Sequence, residues 1–174
     1  TYDEVPLSES DRFSKTLNSK YHEGPATFTR DGSKVIFTRN NYNNGKYKQS
    51  SDGVNKLKIY TADDNAGSWT NVQEVPFNSD EYSVGHPSLS KDDKLLYFVS
   101  DMPGGFGGED IWKVSVNGDE YGTPENLGAK VNTEANESFP FITDDNILFF
   151  SSNGKQGFGG LDVFKIDLNK DRKS

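Results

Sequence analysis

The sequence predicts an all-β protein, a β-propeller segment built of four-stranded antiparallel blades. Three observations carry this. The ten residues Gly105-Phe106-Gly107-Gly108-Glu109-Asp110-Ile111-Trp112-Lys113-Val114 return 52 positions later as Gly157-Phe158-Gly159-Gly160-Leu161-Asp162-Val163-Phe164-Lys165-Ile166, and self-similarity at a fixed period marks a repeat architecture. The chain of 174 residues holds 12 Phe, 8 Tyr and 2 Trp beside a single Met, a composition that favours half-buried strands over helices. Short apolar runs alternate with Asn, Asp, Ser and Gly, 17 of them Gly, which supply tight turns.

Three units align along the chain. Each opens with a short strand: Ala26-Thr27-Phe28-Thr29, Pro87-Ser88-Leu89-Ser90 and Pro140-Phe141-Ile142-Thr143. A turn follows at Arg30-Asp31-Gly32-Ser33, Lys91-Asp92-Asp93 and Asp144-Asp145-Asn146. The second strands, Lys34-Val35-Ile36-Phe37, Leu95-Leu96-Tyr97-Phe98 and Ile147-Leu148-Phe149-Phe150, are apolar almost throughout, as a strand covered on both faces requires. A loop leads to the third strand, which begins at Leu57, Asp110 and Asp162. A weaker fourth strand carries Trp69 in unit one and Tyr121 in unit two, and the connectors Leu17-Asn18-Ser19, Phe77-Asn78-Ser79 and Val131-Asn132-Thr133 recur. The expected organisation is an outer strand of a preceding blade in residues 1–20, blades in 21–78 and 79–132, and a partial blade in 133–174. Propellers close with roughly four to eight blades, so the segment is expected to belong to a larger one. The one helix candidate, Ser8-Glu9-Ser10-Asp11-Arg12-Phe13, is short and polar and reads better as a loop.

A net charge of −8 argues against a nucleic-acid backbone or an anionic membrane as the main partner. The chain has no Cys, which excludes disulfides, thiolate metal sites and Cys nucleophiles. No apolar run approaches the ~20 residues of a membrane helix, so direct membrane insertion by this segment is not expected. The chain opens in a polar stretch at Thr1, where a processed or trimmed terminus is expected.

Two longer patterns carry a family likeness. One is Ser100-Asp101-x-Pro103-Gly104-Gly105-Phe106-Gly107-Gly108-x-Asp110-Ile111-Trp112. The other runs Pro124-Glu125-Asn126-Leu127-Gly128, then Val131-Asn132-Thr133, then Glu137. Together they resemble the TolB-type, WD-repeat-like propeller of the cell envelope, in the form found in Bacteroidota outer-membrane proteins of the OmpA family, PorE-like components of type IX secretion among them. The resemblance implies a periplasmic or outer-membrane-associated scaffold, with envelope proteins as partners, that ties an assembly to the cell wall. Unit one departs from the pattern. Its loop at 40–55 lacks the double glycine, and Lys58 stands where Asp110 and Asp162 stand.

The candidate sites divide into structural and binding residues. The glycine loops lead into strands rather than helices, so phosphate binding is disfavoured. Gly107 and Gly159 permit tight irregular turns, while Asp110 and Asp162 are expected to organise those turns by accepting loop amides. Phe106 and Phe158 either fold back over their own blades or stand exposed. Asp101, Glu109 and Asp110 share one loop and could offer oxygen to calcium. Asp162 with Asn153, or Asp52, offers less. No EF-hand spacing is present, and neither a metal nor a cofactor is expected. His22 and His86 both fall in blade-to-blade connectors, with no nucleophile elbow or metal motif around them. The run Thr61-Ala62-Asp63-Asp64-Asn65-Ala66-Gly67-Ser68-Trp69 loosely resembles a sialidase Asp box, but reads better as an Asp/Asn/Gly turn with a buried Trp69 anchoring the outer strand.

Strands alternate in direction, so second-to-third loops and connectors emerge on one face of the propeller. That face collects Tyr21, His22, Tyr42, Tyr47, Tyr82, His86, Phe106 and Phe158, and rings on a rigid scaffold suit binding. The expected function is a non-enzymatic interaction module. A glycan-binding propeller, or one accompanying a hydrolase or peptidase, is the alternative.

Overall fold

The computed structural model describes residues 9–10, 13–19, 22–43 and 45–170. Four strands form the first blade: β1 (Glu23–Phe28), β2 (Lys34–Asn40), then past a small hairpin of β3 (Tyr42–Asn43) and β4 (Lys46–Tyr47), β5 (Leu57–Asn65) and β6 (Ser68–Glu74). The second blade contains β7 (Val84–Leu89), β8 (Leu95–Ser100) and β9 (Asp110–Asn117), with two short pieces, β10 (Glu120–Tyr121) and β11 (Glu125–Asn126), both along β9. The third has β12 (Glu137–Ile142), β13 (Ile147–Ser152) and β14 (Asp162–Asp167). All pairings are antiparallel. The protein is all-β and propeller-like, as the sequence predicts.

The second strands show why their sequences are apolar throughout. Successive side chains of a strand point to opposite faces. In β8, Leu96 and Phe98 enter the cluster shared with Ile36 and Ile59 of the first blade, while Tyr97 and Val99 enter the cluster shared with Leu148 and Phe150 of the third. Phe77 seals the first interface, its ring 4.8 Å from that of Phe98. Beyond the first blade lies a further cluster of Leu17, Val35, Phe37, Tyr60 and Ala62, edged by Phe13, Phe28 and Trp69 with ring centroids 5.6–5.9 Å apart.

The tight turns follow one plan. Asp31 Oδ1 accepts from Ser33 N at 2.9 Å and from Thr29 Oγ1 at 2.8 Å, and Asp92 Oδ1 accepts from Ser90 Oγ at 2.7 Å. The left-handed position falls to Gly32, Asp93 and Asn146, residue types that tolerate positive φ. First strands begin earlier than expected, because each continues through a β-bulge that contains its proline, between Glu23 and Ala26, Gly85 and Ser88, and Ser138 and Phe141. The fourth strand of the second blade is split at Pro124, which has no N–H for the ladder.

An outer strand is expected in residues 1–20. Its described part instead carries a turn over 15–17, because Ser14 Oγ accepts from Thr16 N at 3.1 Å and Leu17 N at 3.2 Å. The remainder, and most of the helix candidate, lie outside the described residues.

The connector asparagines fasten each blade to the link that leaves it. Asn78 Oδ1 accepts from Ile59 N at 3.1 Å and its Nδ2 donates to Ile59 O at 2.7 Å. Asn132 repeats this on Ile111 at 2.8 and 2.9 Å. One amide side chain thus satisfies both main-chain groups of a buried third strand. Asn132→Leu should lower unfolding free energy by about 2–3 kcal/mol, measured by denaturant titration. A loss within the error of such a titration would show that the clamp contributes nothing.

Candidate interaction rim

Second-to-third loops and connectors meet at one end of the blades. Gly108 N donates to Ala135 O at 2.8 Å, and Glu109 N donates to Asn136 Oδ1 at 3.0 Å. The first blade does the same with other residues. Ser51 Oγ donates to Glu81 Oε2 at 2.7 Å, and Asn41 Nδ2 donates to Asp80 Oδ1 at 2.8 Å. The first two loops are therefore braced on the connector that leads to the next blade.

The aspartates hold their loops from below. Asp110 Oδ2 accepts from Phe106 N at 2.5 Å and from Asn126 Nδ2 at 3.1 Å, and Asp162 Oδ2 accepts from Phe158 N at 2.8 Å and Gly159 N at 3.2 Å. Burial pushes the Asp110 carboxyl above its ordinary range, partly offset by the Phe106 amide. A Cβ at Gly105 or Gly157 would overlap the respective aspartate carboxylate, and one at Gly107 would overlap the Glu134 main chain. These glycines are needed for close approach. In the first blade Lys58 occupies the aspartate's position, opposite Arg39 as Asp110 is opposite Ser100. Its buried ammonium pairs with Asp80 at 2.7 Å and Glu74 at 2.8 Å.

The seven described aromatic and histidine positions differ in their surroundings. Tyr47 is 45% exposed, Phe106 48%, and Phe158 wholly exposed, so each blade shows part of one ring to solvent at its loop. Tyr82 is half-buried against the first interface and donates its hydroxyl to Phe77 O at 3.2 Å. Tyr42, half-buried, lines a cavity of about 460 Å³ together with Arg39, Asn43, Thr16, Asn18 and Val72. His22 is exposed beside β1, with its main-chain N–H donating to Asn40 Oδ1 at 3.3 Å. Tyr21 lies outside the described residues. His86 is not in a connector. It sits inside β7 at the bulge with φ +52°, its ring stacked on that of Phe139 at 4.5 Å. Burial holds its imidazole below the ordinary range. Phe139, also at positive φ (+55°), is a residue the sequence reading missed, although it precedes Pro140 as His86 precedes Pro87.

The carboxylates considered for calcium point to separate tasks. Asp101 Oδ1 accepts from Ser83 N at 2.6 Å, Glu109 Oε2 accepts from Ser138 Oγ at 2.7 Å, and Asp110 serves its loop. Asn153 Oδ1 accepts from Asn136 N at 2.9 Å, and Asp52 closes a turn on Val54 N at 3.2 Å. Among the described residues no three acidic or histidine side chains converge as a metal site. The 61–69 stretch forms the β5–β6 hairpin, where Gly67 N donates to Asp64 Oδ1 at 2.8 Å and Ala66 and Gly67 both take positive φ. Trp69 there is half-exposed rather than buried, because its ring packs at the edge of the sheet beside Phe13 and Phe28.

No protein-family model matches the chain, and no curated protein matches it. Solved structures do. The chain is similar to a puromycin-hydrolyzing peptidase of Mycobacterium tuberculosis, with 18% identity and a TM-score of 0.56 over 86% of this chain. It is also similar to TolB from Acinetobacter baumannii, with 17% identity and a TM-score of 0.51 over 87% of this chain. The chain spans 21% of the first protein and 31% of the second. At these identities the likeness is one of fold, and it places the three sheets among propeller blades.

Two outcomes follow from the rim's chemistry. Asp110→Ala should cost about 1–3 kcal/mol of stability, because the Phe106 amide loses its acceptor. Denaturant midpoints would check this, and an unchanged midpoint would contradict it. Asp80 is held down at a pKa of about 2, first by the Lys58 ammonium. A depressed carboxyl stabilises the fold above its unfolded pKa near 3.9, and that contribution is lost as pH falls through the folded value. Stability measured from pH 5 to pH 2 should therefore fall less steeply in Asp80→Asn than in the parent, on the order of a few tenths of a kcal/mol because Asp80 is partly solvated.

Proposed function

We propose that this chain is a non-enzymatic propeller module that binds a protein partner through the rim carrying Tyr47, Phe106 and Phe158. One observation carries the reading. Phe106 and Phe158 show their rings to solvent on loops that an aspartate braces from beneath, and Tyr47 is partly exposed at the corresponding loop of the first blade. Rings held rigidly lose little entropy on binding, and they dominate interface energetics. The opposite end of the blades consists of tight turns whose aspartates are taken up by hydrogen bonds within or between turns. The resemblance to TolB-type envelope propellers supports an envelope protein as the partner and a periplasmic or outer-membrane-associated location. A scaffold role in an OmpA-family or type IX secretion assembly is the finer form of the same proposal.

A second reading, glycan binding, is favoured by the cavity beside Tyr42. It is lined by Arg39, Asn43, Asn18, Thr16 and Ser19, a polar set beside a ring that suits a sugar.

Photo-crosslinking separates the two. A benzophenone side chain placed at Phe106 or at Asp93, on the turn end, is exposed to envelope extract. Protein adducts should form at 106, not at 93, and should be lost when Tyr47 and Phe158 are changed to Ser. Adducts only at 93 would overturn the proposal. Retention on a glycan array that depends on Tyr42 and Arg39 would favour the second reading.

A further inference from the structure

His86 ties the second blade to a neighbour on either side. At the bulge of β7 its main-chain N–H donates to Thr38 Oγ1 of the first blade at 2.8 Å. Its ring lies on that of Phe139 of the third blade, 4.5 Å away. The residue is held at φ +52°, and strained positions of this kind cluster at clamps and switches. The Nδ1 atom is buried and has no hydrogen-bond partner among the described residues. A neutral imidazole accepts this arrangement with its proton on Nε2 and Nδ1 as an idle acceptor. An imidazolium does not, because both nitrogens then carry protons, and a buried N–H without an acceptor is costly.

One carboxylate acts on the ring. Burial disfavours the protonated form, and Glu109, at the end of the Phe106 loop, opposes that effect. Glu109 Oε2 is meanwhile engaged by Ser138 Oγ at 2.7 Å, next to Phe139. The other charged groups on the elements packed against β7 have partners of their own. Glu23 of β1 accepts from Ser19 N. In β2, Arg39 lies over the Tyr60 ring and Lys34 pairs with Asp63 and Asp119. In β5, Lys58 pairs with Glu74 and Asp80, and Asp64 accepts from Gly67 N. Glu137 of β12 accepts from Thr133 and Ser152, and Asp101 of the Phe106 loop accepts from Ser83 N. β8 carries no charged residue.

We propose that His86 is an acid-responsive latch on the loop that carries Phe106. Neutral, it stacks on Phe139 and leaves Glu109 to Ser138. When it takes up a proton from solvent, its Nδ1–H claims the Glu109 carboxylate and Ser138 Oγ loses that acceptor. The loop then shifts against the connector, because Glu109 is also where the two are tied. Its N–H donates to Asn136 Oδ1 at 3.0 Å, and its carbonyl accepts from Glu137 N at 2.7 Å. The folded midpoint lies below that of a free histidine, near 6.5, so the proton is taken up against the latched state and not in its support.

The test is a titration of the 174-residue chain from pH 8 to pH 5, followed by nitrogen-15 NMR of the histidine rings and the main-chain amides. His22 and His86 are the two histidines, and His86→Phe assigns them. His86 should titrate below about pH 6.5, and the Gly108, Glu109, Asn136 and Ser138 amides should shift with the same midpoint. Corrected for intrinsic exchange, protection of the Gly108 and Glu109 amides should fall at least about tenfold in the acid form. A His86 ring that stays neutral to pH 5, or one that titrates without moving these amides, overturns the proposal. His86→Phe keeps an aromatic ring for the stack, and Phe139 shows that Phe accepts this backbone conformation. The amide step should vanish in that variant, and its persistence overturns the proposal. Glu109→Gln keeps an acceptor for Ser138 and removes the charge, so it should lower the His86 midpoint further and abolish the step. An unchanged midpoint and step in Glu109→Gln overturn the proposal as well. Every readout is taken without a partner, so this inference and the rim reading fail separately.

Discussion

Everything in this protein depends on the seal between neighbouring sheets, because no blade can bury its own apolar surface. The second strands carry apolar side chains on both faces, and each face is useful only when another sheet lies against it. Ile36 needs Leu96 and Phe98, and Val99 needs Leu148 and Phe150. Stability is then a sum of nearest-neighbour contacts rather than a property of one central core. The polar groups sit where these contacts leave main chain exposed to apolar surroundings. Asn78 and Asn132 close the third strands, Thr27 and Ser88 accept from the first strand of the next blade at 3.3 and 3.0 Å, and Glu137, wholly buried, takes Thr133 and Ser152 as donors.

Much of this was legible in the residues. The doubled Gly-Phe-Gly-Gly motif gave the period, the apolar runs gave strands covered twice, and the Asp and Asn turns fell where they were expected. Asp110 and Asp162 take loop amides as their repeat position suggested. What was not legible depends on contacts between distant residues. Nothing local says that Phe106 and Phe158 stand free while Tyr82 packs down. That is decided by whether a neighbouring connector or a core wall lies beside the ring. The start of each first strand was misjudged for a local reason. A proline reads as a beginning, whereas here a bulge carries the strand through it, and this moves His86 from a connector into β7.

The bulges carry strain that the sequence disguises. His86 and Phe139 hold positive φ without being glycine, a conformation that costs of order 1–3 kcal/mol. They are adjacent across an interface, and their rings stack nearly parallel, with an interplanar angle of 14°. The stack offsets part of the strain and couples the inner edges of two blades, so a change at either ring is felt at both bulges.

The bracing of loops on connectors makes the rim a load path. A pull on Phe106 passes through Gly108 and Glu109 to residues 135–136 and so to Glu137, the first residue of β12. Force applied to one blade is thus delivered to the next as shear along paired strands rather than as peeling of a single edge. The loop that carries Phe158 is tied to the same connector from the other side, Asn136 N donating to Asn153 Oδ1 at 2.9 Å and Lys155 Nζ to Lys130 O at 3.2 Å. A pull on either loop is therefore gathered at residues 130–136, between the second and third blades.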